Sequence, residues 1–225
     1  MTRVAVEIRA ILAGAWEQLQ RHRGALLAIV SATAALTAWL IPRDAALLRA
    51  VQTAGAAWLE TARTVSFIGN FENSTLVFSM IAASVGLVRR SRRWKDIAVA
   101  CLLAGLVAGI SVNVLRPGIG RARPAAPAGP GFYWFELGAE LDSMPSGHAM
   151  SNAASAFAIV PLAPVAAVPA VIYTAAISWS RLQLNRHYPS DVMWGSLLGA
   201  IVGLAVGASI RDRRRQARST SNERS

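Results

Sequence analysis

Three short stretches of this 225-residue chain hold residues able to do nucleophilic or acid–base chemistry. The first is Arg116-Pro-Gly-Ile-Gly-Arg121-Ala-Arg123-Pro124, the second Pro145-Ser146-Gly147-His148, and the third Ser180-Arg181 followed by His187 and Asp191. Arg116, Arg123 and Arg181 offer rigid, planar donors that suit phosphate oxygens. Ser146 can cap a helix, leaving the Gly147 and His148 amides at a helix start, where anions bind. Gly147 also lets an anion come close to the backbone. Pro189 suits the first turn of a helix, which puts Asp191 in that turn and within reach back to His187. A carboxylate on one imidazole nitrogen fixes the tautomer and leaves the other nitrogen as a nucleophile. His148 is then available as the acid for a leaving group. The pattern predicts His187, His148 and Asp191 as catalytic, and Arg116, Arg123, Ser146, Gly147 and Arg181 as phosphate-binding.

Each residue alone has a plainer explanation. An arginine at the end of an apolar span is usually a snorkelling anchor, and Pro-Ser-Gly is usually a turn before a helix. Arg121 and Arg186 are given that structural reading, as are the interface charges Arg43, Arg49 and Arg63. Glu140 and Asp142 read as solvated loop acids. The three blocks resist the plain reading only together, so the elements that would bring them together decide the matter.

Those elements are membrane spans. The hydrophobic fraction is 54% and mean hydropathy +0.40, values of a polytopic membrane protein. Six apolar stretches stand out, roughly 24–41, 74–88, 96–115, 148–163, 165–180 and 190–210; several fall short of the ~20 residues that cross a bilayer core. Pro161 and Pro164 mark a turn between the fourth and fifth. The expected fold is all-α: six transmembrane helices in one bundle, plus a helix lying on the outer surface over 44–60. Residues 1–23 read as a cytoplasmic amphipathic segment, 24–210 as the six-span domain and 211–225 as a basic, disordered tail. The first span is long and lacks a small-residue cleavage site, so it reads as permanent rather than as a signal peptide.

Charge orients the spans. Of 23 Lys and Arg, 15 lie before the first span, between the second and third, or after the sixth. By the positive-inside rule both termini are cytoplasmic. Residues 42–73, 116–147 and 181–189 then face outward, and all three blocks fall at one membrane face. Basic charge beside apolar runs speaks for membrane loops rather than nucleic acid. Cys101 is the sole cysteine, so no intrachain disulfide and no thiolate metal site is expected. No carboxylate cluster suggests a metal, and no cofactor is expected. The Ala- and Arg-rich composition, in which Lys95 is the only lysine, points to a GC-rich bacterial genome, and a multi-pass bacterial chain is expected in the inner membrane.

Arg116-x6-Arg123-Pro124, Pro145-Ser146-Gly147-His148 and Ser180-Arg181-x5-His187-x3-Asp191 resemble the three signature blocks of the type 2 phosphatidic acid phosphatase superfamily. The resemblance spans roughly residues 60–210. It implies a metal-independent phosphatase in which His187 forms a phosphohistidine, Asp191 orients it, and His148 protonates the leaving oxygen and then activates water. Arg116, Arg123, Ser146, Gly147 and Arg181 would hold the phosphate. The first block usually opens with lysine; here it opens with Arg116. Six spans and an outward site imply a lipid substrate in the bilayer: undecaprenyl diphosphate, phosphatidylglycerophosphate, phosphatidate or the phosphates of lipid A. A lipid phosphotransferase would use the same residues. A vanadate-dependent peroxidase fits a membrane-embedded chain poorly, and a non-catalytic carrier has no need of an acid–nucleophile pair.

Overall fold

A computed structural model of the chain describes residues 2–222 other than Leu137 and Ala139. The described residues form nine α-helices and no strand: α1 Arg3–Arg21, α2 Arg23–Leu40, α3 Asp44–Ala54, α4 Leu59–Ile68, α5 Val77–Val88, α6 Arg92–Ile119, α7 Gly147–Ile159, α8 Ala167–Gln183 and α9 Pro189–Asn222. Four helical stretches are long and apolar enough to cross a membrane: Arg23–Ala54, Arg92–Ile119, Pro164–Gln183 and Pro189–Thr220. A fifth is broken. Ala56–Ile68 and Glu72–Val88 qualify together but are bent by 63°.

The centre of the bundle is made of small residues. Gly195, Gly199, Gly203 and Gly207 recur every four residues, about one turn, along α9. A Cβ on each would fall 2.5, 2.2, 2.3 and 2.2 Å from the carbonyl oxygens of Ser146, Met150, Ala154 and Ala158 in turn. The four glycines let the α9 backbone lie directly on α7, the small-residue mode of packing used between membrane helices. Ala100, Ala104 and Ala108 of α6 close the core from the other side. This packing holds the starts of α7 and α9 together, where the Ser146 amide donates to the Asp191 carbonyl at 3.0 Å.

The structure departs from the sequence reading in four places. The 44–60 helix is two, α3 and α4: the first is capped at Gly55, where the chain turns and Gln183 comes so close that a Cβ would stand 2.4 Å from its Oε1. The second apolar stretch is not one straight helix from 74: α4 leads into α5 through the Gly69–Asn70 break and a single wide π turn at Glu72–Leu76. α7 is only 13 residues, about 20 Å at 1.5 Å per residue, shorter than the expected 148–163 span. It lies in the centre of the bundle, where neighbouring helices rather than lipid cover it.

The fourth departure is at the C-terminal end of the chain. Where a disordered tail from 211 is expected, α9 continues as helix to Asn222. Its polar extension is tied down by Gln18 donating to Asp212 at 2.8 Å, Arg214 Nε to Asp96 at 2.7 Å and Arg213 to Glu7 at 3.2 Å. The amphipathic N-terminal segment is α1, and it packs on α9: Ile11 and Ala15 are buried, and Ser209 Oγ donates to the Ile11 carbonyl at 2.8 Å.

Candidate active site

His187 lies in the short link between α8 and α9, with 1% of its surface exposed. Its Nδ1 is 2.8 Å from the Ser143 carbonyl oxygen. A carbonyl can only accept, so Nδ1 carries the hydrogen and Nε2 keeps a free lone pair. The carboxylate expected in this role does not fill it: Asp191 Oδ2 stands 3.9 Å from Nδ1, beyond hydrogen-bond reach. Asp191 is taken up elsewhere. It accepts from Ser143 Oγ at 2.6 Å, from the Tyr188 amide at 2.8 Å and from Arg121 Nη1 at 2.6 Å. Asp191 therefore acts on His187 through Ser143, whose hydroxyl it holds while the same residue's carbonyl holds the imidazole. Burial, and then the positive charges of Arg181, Arg116 and Arg123, keep the His187 pKa well below the ordinary imidazole value. The ring is thus neutral at neutral pH, as a nucleophile must be.

Arg121, read from sequence as an ordinary loop charge, is one of the most enclosed groups in the chain at 4% exposed. Nη1 donates to Ser190 Oγ and Asp191 Oδ1, and Nη2 donates to Asp44 Oδ2, each at 2.6 Å. Asp44, at the start of α3 and 1% exposed, also accepts from the Ser190 amide at 3.1 Å. One guanidinium thus serves two buried carboxylates and ties α3 to the start of α9. Tyr188 lies under it, 4.4 Å from ring centroid to Cζ.

The three arginines assigned to phosphate surround the imidazoles. Arg116 ends α6, where the Gly120 amide donates to its carbonyl at 2.8 Å and Gly120 takes φ 58°, a left-handed turn that glycine tolerates. Its Nε donates to the Pro145 carbonyl at 3.1 Å, and its guanidinium lies so close to Gly147 that a Cβ there would be 3.0 Å from Nη2. Arg181 ends α8. Its Nη1 donates to Ser66 Oγ at 2.5 Å, while its buried Nε has no hydrogen-bond partner among the described residues. A buried charged donor without an acceptor is costly unless something else supplies one, and this arginine lies close enough to His187 to lower its pKa. Arg123 grips Asp142 through Nε and Nη2 at 2.7 and 2.8 Å. Ser146, fully buried, caps α7 by accepting from the Ala149 amide at 3.5 Å, which leaves the Gly147 and His148 amides outside the cap in the first turn.

His148 faces Asn70 in the break between α4 and α5, with Nε2 2.9 Å from Asn70 Oδ1. One turn on, Asn152 donates to the Gly69 carbonyl at 2.7 Å and accepts from Tyr173 at 2.6 Å, fixing the break against α7. All eight residues singled out from sequence therefore gather at one end of the bundle, although Asp191 does not touch His187. Sequence reasoning missed Ser143, Asn70, Asp44, Arg121, Asp142 and Ser66. A hint existed for some: Arg121 shares a loop with two singled-out arginines, and Ser143 precedes the Pro-Ser-Gly-His block. Nothing local marks Asp44. Ser180, part of the third block, donates to its own helix at the Ile177 carbonyl (2.7 Å) and is structural. Among the described residues no group of three His, Cys, Asp or Glu side chains is placed to hold a metal ion.

A profile of the PAP2 superfamily matches residues 95–215, more than half of the chain and all three blocks. The chain belongs to the PAP2 superfamily. It is 32% identical over 188 residues to a decaprenylphosphoryl-5-phosphoribose phosphatase of Mycobacterium tuberculosis strain H37Rv, covering 78% of this chain and 94% of the relative. It is also 32% identical over 185 residues to a lipid A 1-phosphatase of Rhizobium etli, covering 74% of this chain and 66% of that protein. Its fold resembles the crystal structure of a transmembrane PAP2-type phosphatidylglycerolphosphate phosphatase from Bacillus subtilis, with a TM-score of 0.56 at 18% identity, over 87% of this chain and 94% of that one. This PAP2 protein is a phosphatase, and it is multi-pass.

Proposed function

We propose that this PAP2 phosphatase hydrolyses the terminal phosphate of a lipid phosphate in the outer leaflet of the bacterial inner membrane, through a phosphohistidine on His187. The observation that carries this is the bare His187 Nε2, fixed by the Ser143 carbonyl and ringed by Arg116, Arg123 and Arg181. Nε2 attacks phosphorus as the bond to the lipid oxygen breaks, and His148 gives that oxygen its proton. The Asn70 amide oxygen accepts from His148 Nε2, so Nδ1 is the nitrogen that passes the proton. The same Nδ1 then takes a proton from the water that attacks phosphohistidine, releasing inorganic phosphate and restoring both rings. The arginines and the amides of Gly147 and His148 stabilise the charge that builds on the equatorial oxygens. No step in this scheme calls on a metal ion.

A lipid substrate is supported by an apolar cavity of about 420 Å³ lined by Ile68, Val77, Phe78, Ile159 and Tyr173. Asn152, one turn on from His148, is among its lining residues, and it has room for part of a hydrocarbon chain. The broken α4–α5 pair, together with α2, α6, α7, α8 and α9, makes six crossings with both termini cytoplasmic and the site at the periplasmic face. Within the lipid phosphates we place isoprenoid-linked phosphates, undecaprenyl diphosphate among them, first, because the M. tuberculosis relative is matched over nearly its whole length; phosphatidylglycerophosphate, phosphatidate and lipid A follow. The test is phosphate release by purified protein over that panel, with EDTA present and with vanadate as inhibitor. Release from at least one lipid phosphate, unaffected by EDTA and blocked by vanadate, is expected. Release from none of them, or strict dependence on magnesium, would overturn the reading. A phosphoryl group that passes to an added acceptor lipid, with little or no inorganic phosphate released, would mark a transferase.

A further inference from the structure

Asp142 occupies the donors that the proposed function assigns to phosphate. Its Oδ1 accepts from Arg123 Nε at 2.7 Å, and its Oδ2 accepts from Arg123 Nη2 at 2.8 Å and from Arg116 Nη1 at 3.1 Å. The Nε–Nη2 edge of a guanidinium is a two-pronged fork that holds one oxyanion at a time. A phosphoryl group using that edge of Arg123 must displace the carboxylate. Asp142 can leave: its side chain is 29% exposed, and among the described residues it accepts side-chain hydrogen bonds from these two arginines alone. Arg121, two residues away, differs on each count, since its carboxylate partners are 0–1% exposed and held by further donors.

We infer that Asp142 is a positioning residue that acts as an internal counter-anion: it holds Arg116 and Arg123 together, and each phosphate entering the site must exchange with it. This rests on the phosphatase reading of the site. Exchange has a definite signature. If every ligand must displace the carboxylate before binding, the carboxylate weakens all of them by one common factor, whatever their charge. Substrate, product phosphate and vanadate are held less tightly than the bare arginines would hold them, and product leaves faster. A carboxylate acting merely as a nearby negative charge would penalise a dianion more than a monoanion, because Coulomb energy scales with charge. A carboxylate acting merely as a staple for the loop would favour anion binding by keeping the arginines in place.

The experiment compares wild type with Asp142→Asn and Asp142→Ala in detergent at pH 8. Binding of inorganic phosphate, a dianion at that pH, and of dimethyl phosphate, a monoanion, is measured by calorimetry, and KM and kcat come from phosphate release. The expected result is tighter binding of both probes by the same factor, about tenfold, comparable to one charge-assisted hydrogen bond. KM falls by a similar factor and kcat does not rise. A clearly larger gain for inorganic phosphate than for dimethyl phosphate overturns exchange in favour of through-space charge. Weaker or unchanged binding in folded variants overturns it in favour of the staple. Calorimetry does not need turnover, so wild type that binds both probes but hydrolyses no lipid phosphate defeats the phosphatase reading, while equal gains would still uphold the exchange.

Discussion

Arg121 and Arg123 stand two residues apart in one loop and do opposite work. Arg121 is sealed in, sharing its guanidinium between Asp44 and Asp191. Arg123 is 21% exposed in its side chain and, among the described residues, its guanidinium holds only Asp142, itself partly in water. The first pair of contacts joins helices; the second is the one proposed to exchange with a ligand. What separates a structural from a functional arginine here is whether its acidic partners have other donors and no path to solvent, not its residue type or its motif position.

The sharpest way to break that comparison is at the sealed arginine. Arg121→Leu leaves two buried carboxylates without their cation, a loss worth roughly 3–5 kcal/mol. A large fall in the thermal midpoint in detergent is expected, with activity lost alongside. A midpoint within a degree or two of wild type would show that the cluster does not hold α3 and α9 together.

Arg123→Ala should do the reverse. The thermal midpoint is expected to move little, while kcat/KM falls by roughly 10²–10³-fold, as on loss of one oxyanion contact. A drop in stability as large as that of Arg121→Leu would erase the distinction between the two arginines.

Arg116 lies between these cases, donating both to the Pro145 carbonyl and to Asp142. Arg116→Ala is expected to cost about a hundredfold in kcat/KM, and Arg116→Lys only about tenfold, since lysine keeps the charge and loses the planar fork. Equal losses in the two variants would mean that the fork matters more than the charge; no loss in either would make Arg116 a membrane anchor.

The smallest effect concerns pH. The His187 pKa is lowered in the folded protein by burial and the three arginines. The unfolded chain therefore takes up this proton first, and stability should fall as pH drops below about 6.5, the ordinary histidine value. His187→Gln should flatten that slope between pH 6.5 and 5. An unchanged slope in the variant would assign it to other groups.

Much of the site was legible in the sequence because its motif residues sit at helix ends, where hydropathy and charge locate them. Arg116, His148, Arg181 and Asp191 close four apolar stretches on one side, and the structure brings them together. What was not legible depends on contacts between distant segments. Asp44 reaches Ser190 and Arg121 across more than seventy residues, and Asn70 meets His148 only because α4 and α5 bend apart. The spacing of His187 and Asp191 did suggest a direct contact, which the Ser143 carbonyl pre-empts. One signal was present and unused: the four-residue glycine repeat of α9 announces close packing, here on α7. The helical tail was misjudged because its charge suggested a solvated segment, while Asp96 and Glu7, on other helices, hold it.

The central claim is that His187 carries the phosphoryl group. It is tested most directly by mixing purified protein with a lipid phosphate labelled in its terminal phosphate and quenching within one turnover. Wild type should carry label that survives base and is lost in acid, as phosphohistidine does, and His187→Ala, at equal amounts of folded protein, should carry none and release no phosphate. Label on the His187→Ala protein, or phosphate release from it at a near-normal rate, would contradict the account.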